Sequence, residues 1–196
     1  MILIPLHRKP DWSRPPWITV ALILLNLLIF VFYQGDDDEH LMAAVQIYQA
    51  EQLLALEQPA YRIFLAERNF TAPELDSDAG FSWQIAFDRN FDLYLRDYWQ
   101  REDIAGDQQL AHWREARSAF EAERDQVSSW RAGLTPADDR WWTYITSMFL
   151  HGGWEHLVGN MVFLFLFGLT LEMALGPLLY CLLFIVCGIA AGGLHV

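Results

Sequence analysis

Three runs of apolar residues stand out along the chain, and a long polar segment separates the first run from the other two. The first run spans residues 17–33, interrupted only by Thr19 and Asn26, and the others span 157–175 and 177–194. A helix as long as the first run covers roughly 25 Å at about 1.5 Å per residue, close to the thickness of a bilayer core. The pattern therefore predicts an all-α membrane protein with three transmembrane helices.

The residues that flank the first run predict its orientation. Three basic residues, Arg8, Lys9 and Arg14, precede it, and an acidic stretch at 36–39 follows it. Basic residues favour the cytoplasmic side of a membrane, so residues 1–16 are predicted to be cytoplasmic. A cleaved signal peptide is the alternative, although no small-x-small cleavage site follows the apolar run.

The long polar segment, residues 34–140, carries most of the charge. It holds 22 of the 25 acidic residues and 10 of the 13 basic ones, so the net charge of -12 arises in this segment. Apolar residues recur in it at intervals of three or four, which predicts a helical extracytoplasmic insert. A disordered acidic region is the alternative, but the many aromatic residues argue against it. The negative charge excludes nucleic acid as a partner, because binding phosphates requires a positive surface.

The start of the second apolar run carries the candidate chemistry. His156 and Asn160 are four residues apart, so on a helix both side chains lie on one face and can donate hydrogen bonds into one small volume. An oxyanion hole requires such a donor pair, and a structural polar clamp between helices is the alternative. The spacing of His151 from Glu155 and His156 does not match a zinc-protease helix, so neither a metal nor another cofactor is predicted.

The same region resembles the rhomboid family of intramembrane serine proteases. The stretch WWTYITSMFLHGGWEH at 141–156 carries the likeness together with Asn160. Gly168, Glu172 and Gly176 then fall where the family has its F-G-x-x-x-E-x-x-x-G pattern. The resemblance covers about residues 141–196, the first half of a six-helix core, and it implies a fragment of a rhomboid-like helical bundle.

The resemblance also implies roles for individual residues. His156 and Asn160 would stabilise the oxyanion formed during peptide cleavage. Trp141, Gly168, Glu172 and Gly176 would be structural residues of the loop and the helix bundle. The implied partners are membrane lipid and single-span transmembrane proteins, which the family cuts, and the implied location is the bacterial inner membrane.

One part of the family's site is not found in this sequence. The family's nucleophilic serine lies in a G-x-S-G segment and its base is a histidine on a later helix, and none of the serines here has that context. We therefore expect a truncated chain that is inactive alone. Thr143 also occupies a position where the family often has arginine. A non-catalytic rhomboid-like protein that binds transmembrane helices is the alternative, and a plain membrane anchor explains the pattern least well.

Overall fold

Every regular element in the described part of the chain is a helix, as the sequence predicts. The computed structural model describes residues 15–70, 82–99, 107–135 and 140–195. Two units can be distinguished within these residues. The membrane unit falls within Met1–Gly35, Ala132–Pro136 and Arg140–Val196, and the acidic unit falls mainly within Asp36–Arg131.

The helices vary widely in length. In chain order they are α1 (Trp17–Phe32), α2 (Asp37–Ala50), α3 (Leu53–Glu67), α4 (Trp83–Ala86), α5 (Arg89–Tyr98), α6 (Asp107–Arg124), α7 (Ser128–Ala132), α8 (Thr143–Thr146), α9 (Trp154–Phe163), α10 (Leu169–Leu175) and α11 (Pro177–His195). A π-helical stretch, Leu164–Gly168, joins α9 to α10, so helical structure is continuous from Trp154 to Leu175.

Three helical segments are long and apolar enough to cross a membrane. One lies within Trp17–Ala50, one is Trp154–Leu175 and one is Pro177–Leu194. They correspond to the three apolar runs of the sequence. Gly176 separates the second segment from the third with a φ of +82°, a conformation that suits glycine and few other residues. Pro177 then occupies the first turn of α11, where its missing N–H costs nothing.

Helix α1 buries its polar side chains and exposes its apolar ones. Thr19 and Asn26, seven positions apart on one face, are the buried residues of this helix, whereas Leu28 and Phe32 are exposed. This is the reverse of a helix in water. In a bilayer the apolar side chains can face lipid, and polar side chains turn toward neighbouring helices because hydrocarbon offers them no hydrogen bonds.

The acidic unit follows the opposite rule and forms an aromatic core. Helix α2 packs along α6, and α3 packs against α4, α5 and α6. Trp99 stacks on Trp113 with ring centroids 5.1 Å apart. The buried apolar side chains of this core are Ala44, Tyr48, Leu53, Leu54, Ala60, Tyr61, Phe64, Ile85, Ala86, Phe91, Leu95, Tyr98, Trp99, Trp113, Ala116 and Phe120.

A buried carboxylate, Glu57, lies inside this core. The Tyr48 hydroxyl donates to Glu57 Oε2 over 2.9 Å, and Trp113 Nε1 donates to Glu57 Oε1 over 3.0 Å. Arg117 Nη1 donates to both oxygens at 3.1 Å. Both oxygens of the carboxylate are therefore hydrogen-bonded, which offsets the cost of burying its charge.

The guanidinium of Arg117 continues the network to a second carboxylate, Asp92. Arg117 Nη2 and Arg124 Nη1 donate to Asp92 Oδ1 over 2.7 and 3.0 Å. Burial alone would raise the pKa of Asp92, but the charges of Arg124 and Arg117 outweigh it and hold that pKa below its usual range. The acidic unit thus keeps ionised groups in its interior by pairing them.

Candidate functional site

A tight loop leads into the helix that carries the candidate donors. It contains a 3-10 turn at Ser147–Phe149 and an extended residue, Leu150, and α9 begins at Trp154. Gly153 immediately precedes α9 with φ +150° and ψ 174°, a region that only glycine adopts readily. Gly152 and Gly153 thus lie between the loop and the first residue of α9, and the helix does not extend back into the loop.

The two predicted donors lie on α9, one turn apart. Both His156 and Asn160 are exposed. Asn160 lines a cleft within the membrane unit. His156 Nδ1 accepts a long hydrogen bond of 3.4 Å from the backbone N–H of Gly152. The helix thus places both side chains on neighbouring turns, as their spacing predicts, while the role of the pair stays a prediction.

The cleft has a volume of about 640 Å³ and a mostly apolar wall. Its polar lining comes from α1, from the loop before α9 and from α9 itself. Small residues of α11 line another part of it. The lining residues that bear on function are Asn26, Ser147, His151, Asn160, Gly188, Ala191 and Gly192. Such a wall suits an apolar chain that carries one polar group to be bound.

His151 is a residue of the loop before α9 and is buried against the end of α1. Its ring Nδ1 lies 3.2 Å from the Phe149 carbonyl oxygen, and its ring centroid is 5.4 Å from that of His156. Burial lowers the pKa of His151, and the neighbouring His156 acts in the same direction, while the Phe149 carbonyl opposes them. His151 is therefore neutral near pH 7 and cannot act as a fixed positive charge in the site.

Glu172 links α10 to the first turn of α1. Its carboxylate accepts hydrogen bonds from the backbone N–H groups of Ile18 and Thr19, over 3.0 and 2.7 Å, and from the Thr19 hydroxyl over 2.8 Å. The first N–H groups of a helix have no partner within the helix, and the helix dipole favours a negative charge there. Glu172 therefore caps α1 from another helix, while the structural role expected for it stays a prediction.

The other residues with expected structural roles differ in their surroundings. A Cβ on Gly168 would lie 2.6 Å from the Tyr180 hydroxyl and 2.9 Å from Thr19 Cγ2, so this glycine permits close packing. Gly176 has open space around it and is constrained by its backbone conformation instead. Trp141 is exposed.

Sequence reasoning missed a buried glutamine, Gln34. Its side chain pairs with the backbone of His151, which lies 117 positions further along the chain. Nothing in the local pattern marks it, because it follows the first apolar run as an ordinary polar residue. Thr19 and Asn26 did leave a signal, as the two interruptions of that run.

The membrane unit is similar in sequence to known proteins. Residues 138–196 match the family model of the rhomboid domain. This part of the chain is similar to proteins of the rhomboid family. Across 66 residues the chain is also 38% identical to "Putative rhomboid protease YdcA" of Bacillus subtilis (strain 168), a match that covers 34% of this chain and 32% of that relative. No solved structure matched the chain.

The rhomboid assignment and the three apolar helices together make the chain an integral membrane protein. The matched residues include α9 and both donors, and they leave out α1 and most of the acidic unit. In the part of the chain that the structure describes, no group of three or more His, Cys, Asp or Glu side chains could hold a metal ion.

Proposed function

We propose that His156 and Asn160 form the carbonyl-binding half of an intramembrane serine endopeptidase site. The observation that carries this proposal is the position of the two donors on successive turns of α9, with Asn160 on a mostly apolar cleft. The rhomboid match over the same residues supports it, as does the name of the Bacillus relative, which calls it a putative rhomboid protease.

The proposed chemistry is stabilisation of negative charge. As a nucleophile attacks a peptide carbonyl, its oxygen becomes an oxyanion, and imidazole and amide N–H groups of His156 and Asn160 would donate to it. In an apolar cleft such bonds are stronger than in water. Loss of one donor in a complete site typically slows the chemical step by about 10²–10³-fold.

The proposal assigns no nucleophile within this chain. No serine of the sequence lies in a G-x-S-G segment, and none has a described hydrogen bond to His156. We expect the purified 196-residue chain to leave a transmembrane reporter uncut and to resist labelling by a fluorophosphonate. Cleavage that disappears on replacing His156 or Asn160 would overturn this expectation.

The proposed substrates are single-span transmembrane proteins in the lipid bilayer. The cleft wall is mostly apolar, so an apolar segment of a substrate, unfolded or helical, can contact it without placing its own side chains in water. The N-terminus would be cytoplasmic and the membrane the inner membrane of a bacterium, in keeping with the basic residues before α1 and with the Bacillus relative.

Isotope-edited infrared spectroscopy tests the carbonyl-binding role. A transmembrane peptide with one 13C-labelled carbonyl at the expected cleavage position is bound to the protein in detergent. Hydrogen bonds from both donors should lower the carbonyl stretching frequency, and Asn160→Leu and His156→Leu should each reverse part of that shift. Val158→Ala is the matched control, because Val158 is an exposed residue of the same helix. An equal shift in all four proteins would contradict the role.

A non-catalytic protein that binds transmembrane helices is the second candidate. The exposed small residues Ala191 and Gly193 of α11 favour it, since small side chains let another helix approach closely. The same experiment separates the two candidates. Peptide binding that survives the loss of both donors, with no carbonyl shift in any protein, would favour helix binding. Ala191→Phe should weaken peptide binding under either candidate because it narrows the cleft.

A further inference from the structure

The buried side chain of Gln34, just beyond the end of α1, pairs with one residue of the loop before α9. Gln34 Nε2 donates to the His151 carbonyl oxygen over 2.9 Å, and the His151 N–H donates to Gln34 Oε1 over 2.9 Å. Because the Gln34 amide both donates and accepts, it fixes the directions of the C=O and the N–H of His151. Because the pair is buried, losing one bond would leave a polar group without a partner.

Aromatic contacts hold the same loop against α1. The Phe30 ring meets the Trp154 ring edge to face at 4.8 Å, and the His151 ring at 6.5 Å. Phe30 lies in the last turn of α1 and Gln34 lies just beyond its end, and both side chains contact the loop. The end of α1 therefore holds both the loop at His151 and the first residue of α9, Trp154.

The peptide group between His151 and Gly152 connects this clamp to His156. Its carbonyl accepts from Gln34, and its N–H, which belongs to Gly152, points to His156 Nδ1 at 3.4 Å. The peptide bond is planar and trans, so fixing the direction of the C=O also fixes the opposite direction of the N–H. Donation to the carbonyl polarises the peptide and strengthens its N–H as a donor.

An N–H that points at Nδ1 selects one form of the neutral imidazole. Nδ1 can accept only when it carries no proton, so the proton of neutral His156 then resides on Nε2. His151 has the opposite arrangement, since its Nδ1 faces the Phe149 carbonyl and must carry a proton to bond with it. The two neighbouring imidazoles are thus held as different tautomers.

We propose that Gln34 is a positioning residue that keeps His156 as the Nε2–H tautomer through the His151–Gly152 peptide. The inference rests on the proposed function in one respect, because the Nε2–H is the donor that would face a substrate oxyanion. With the proton on Nδ1 instead, His156 would present a lone pair at Nε2 and would repel that oxygen.

Nitrogen NMR of histidine-labelled protein in detergent measures this tautomer directly. In the wild-type protein, neutral His156 should show a pyridine-type Nδ1 and a pyrrole-type Nε2. The His156→Gln spectrum assigns the signals. Gln34→Met, which preserves the length of the side chain but cannot form either hydrogen bond, should move the two signals toward each other as the tautomers mix.

Thr19→Val provides the matched control. It removes a buried hydrogen bond from α1 to Glu172 without touching the loop, so it destabilises the same unit and should leave the His156 signals unchanged. Unchanged signals in Gln34→Met, or equal changes in Thr19→Val, would overturn the proposal, as would a wild-type Nδ1–H form. If the signals behave as expected but the labelled carbonyl shows no infrared shift, the positioning role stands and the protease proposal fails.

Discussion

The membrane unit and the acidic unit both bury polar groups, but they do so for different reasons. In the acidic unit, Glu57 and Arg117 are charged groups enclosed by aromatic rings, and their bonds offset the loss of water. In the membrane unit, Thr19 and Glu172 are buried while long apolar side chains remain exposed. There the apolar exterior is the favourable state and polar contacts hold the helices together.

Because of this difference, different kinds of residue indicate the packing contacts of each unit. In the acidic unit the apolar pattern locates the core, and buried charges are exceptions that need partners. In the membrane unit apolar residues say little about packing because they face lipid as readily as another helix. The polar and small residues locate its helix contacts instead, as Thr19, Gly168 and Glu172 do.

The largest effect is expected from Arg117→Met in the acidic unit. The substitution leaves Glu57 buried without its cationic partner and removes one of the three cations paired with Asp92. It should lower the free energy of unfolding of this unit by about 3–5 kcal/mol. Urea unfolding followed by the near-UV circular dichroism of the Trp99 and Trp113 stack measures it. Arg114→Met, an exposed site on the same helix, should change stability by less than about 0.5 kcal/mol.

Glu172→Gln tests the corresponding contact in the membrane unit. The amide can offer one oxygen, but its NH₂ group faces N–H donors of α1, so at least one charge-assisted bond is lost. We expect a loss of about 1.5–3 kcal/mol, measured by reversible SDS unfolding in detergent micelles. Glu155→Gln replaces an exposed carboxylate in the first turn of α9 and should cost less than about 1 kcal/mol. Equal costs would show that burial of Glu172 is not what matters.

A pair of glycine substitutions compares packed and open positions of one continuous helical segment. Gly168→Ala places a Cβ against Tyr180 and Thr19 and should destabilise the membrane unit by about 1–3 kcal/mol. Gly159→Ala has open space and should instead be neutral or stabilising by up to about 1 kcal/mol. The same SDS unfolding experiment measures the stability of both variants. If Gly159→Ala lowered the free energy of unfolding as much as Gly168→Ala, close packing would not explain the effect at Gly168.

The smallest effect is expected from the pH dependence of a surface pair in the acidic unit. The hydrogen bond that His40 Nδ1 donates to Glu123 raises the pKa of His40 above its usual 6.5, with the charges of Glu123, Glu39 and Asp36 acting in the same direction and partial burial opposing them. A raised folded-state pKa stabilises the fold at low pH. This contribution is complete below pH 6.5 and disappears as the pH rises through the raised value. His40→Gln should make the urea midpoint of the acidic unit less dependent on pH over this range. An unchanged dependence would show that the His40–Glu123 pair does not cause it.

The sequence predicts the membrane fold well because the physical cause is local. A run of apolar residues long enough for a bilayer must form a helix there, since no other open structure satisfies its backbone. The i, i+4 spacing of His156 and Asn160 likewise fixes their common face once α9 is a helix. The rhomboid resemblance rests on the same stretch and is supported by the family match.

The contacts between distant segments could not be predicted in this way. Gln34 pairs with His151 across 117 positions, and Glu172 bonds Thr19 across 153. Neither pairing has a periodicity or a motif of its own in the residues around Gln34 and Thr19. The buried Glu57 likewise reads in the sequence as one more acidic residue of a charged segment.

The sequence alone thus determined that the chain is an all-α membrane protein and which helix carries the candidate donors, because hydrophobicity and helical spacing act over neighbouring residues. Only the tertiary structure decided which polar groups are buried and what each one bonds to. That choice depends on which helices meet, and a polar side chain in lipid or in an aromatic core is stable only where a partner from another segment reaches it.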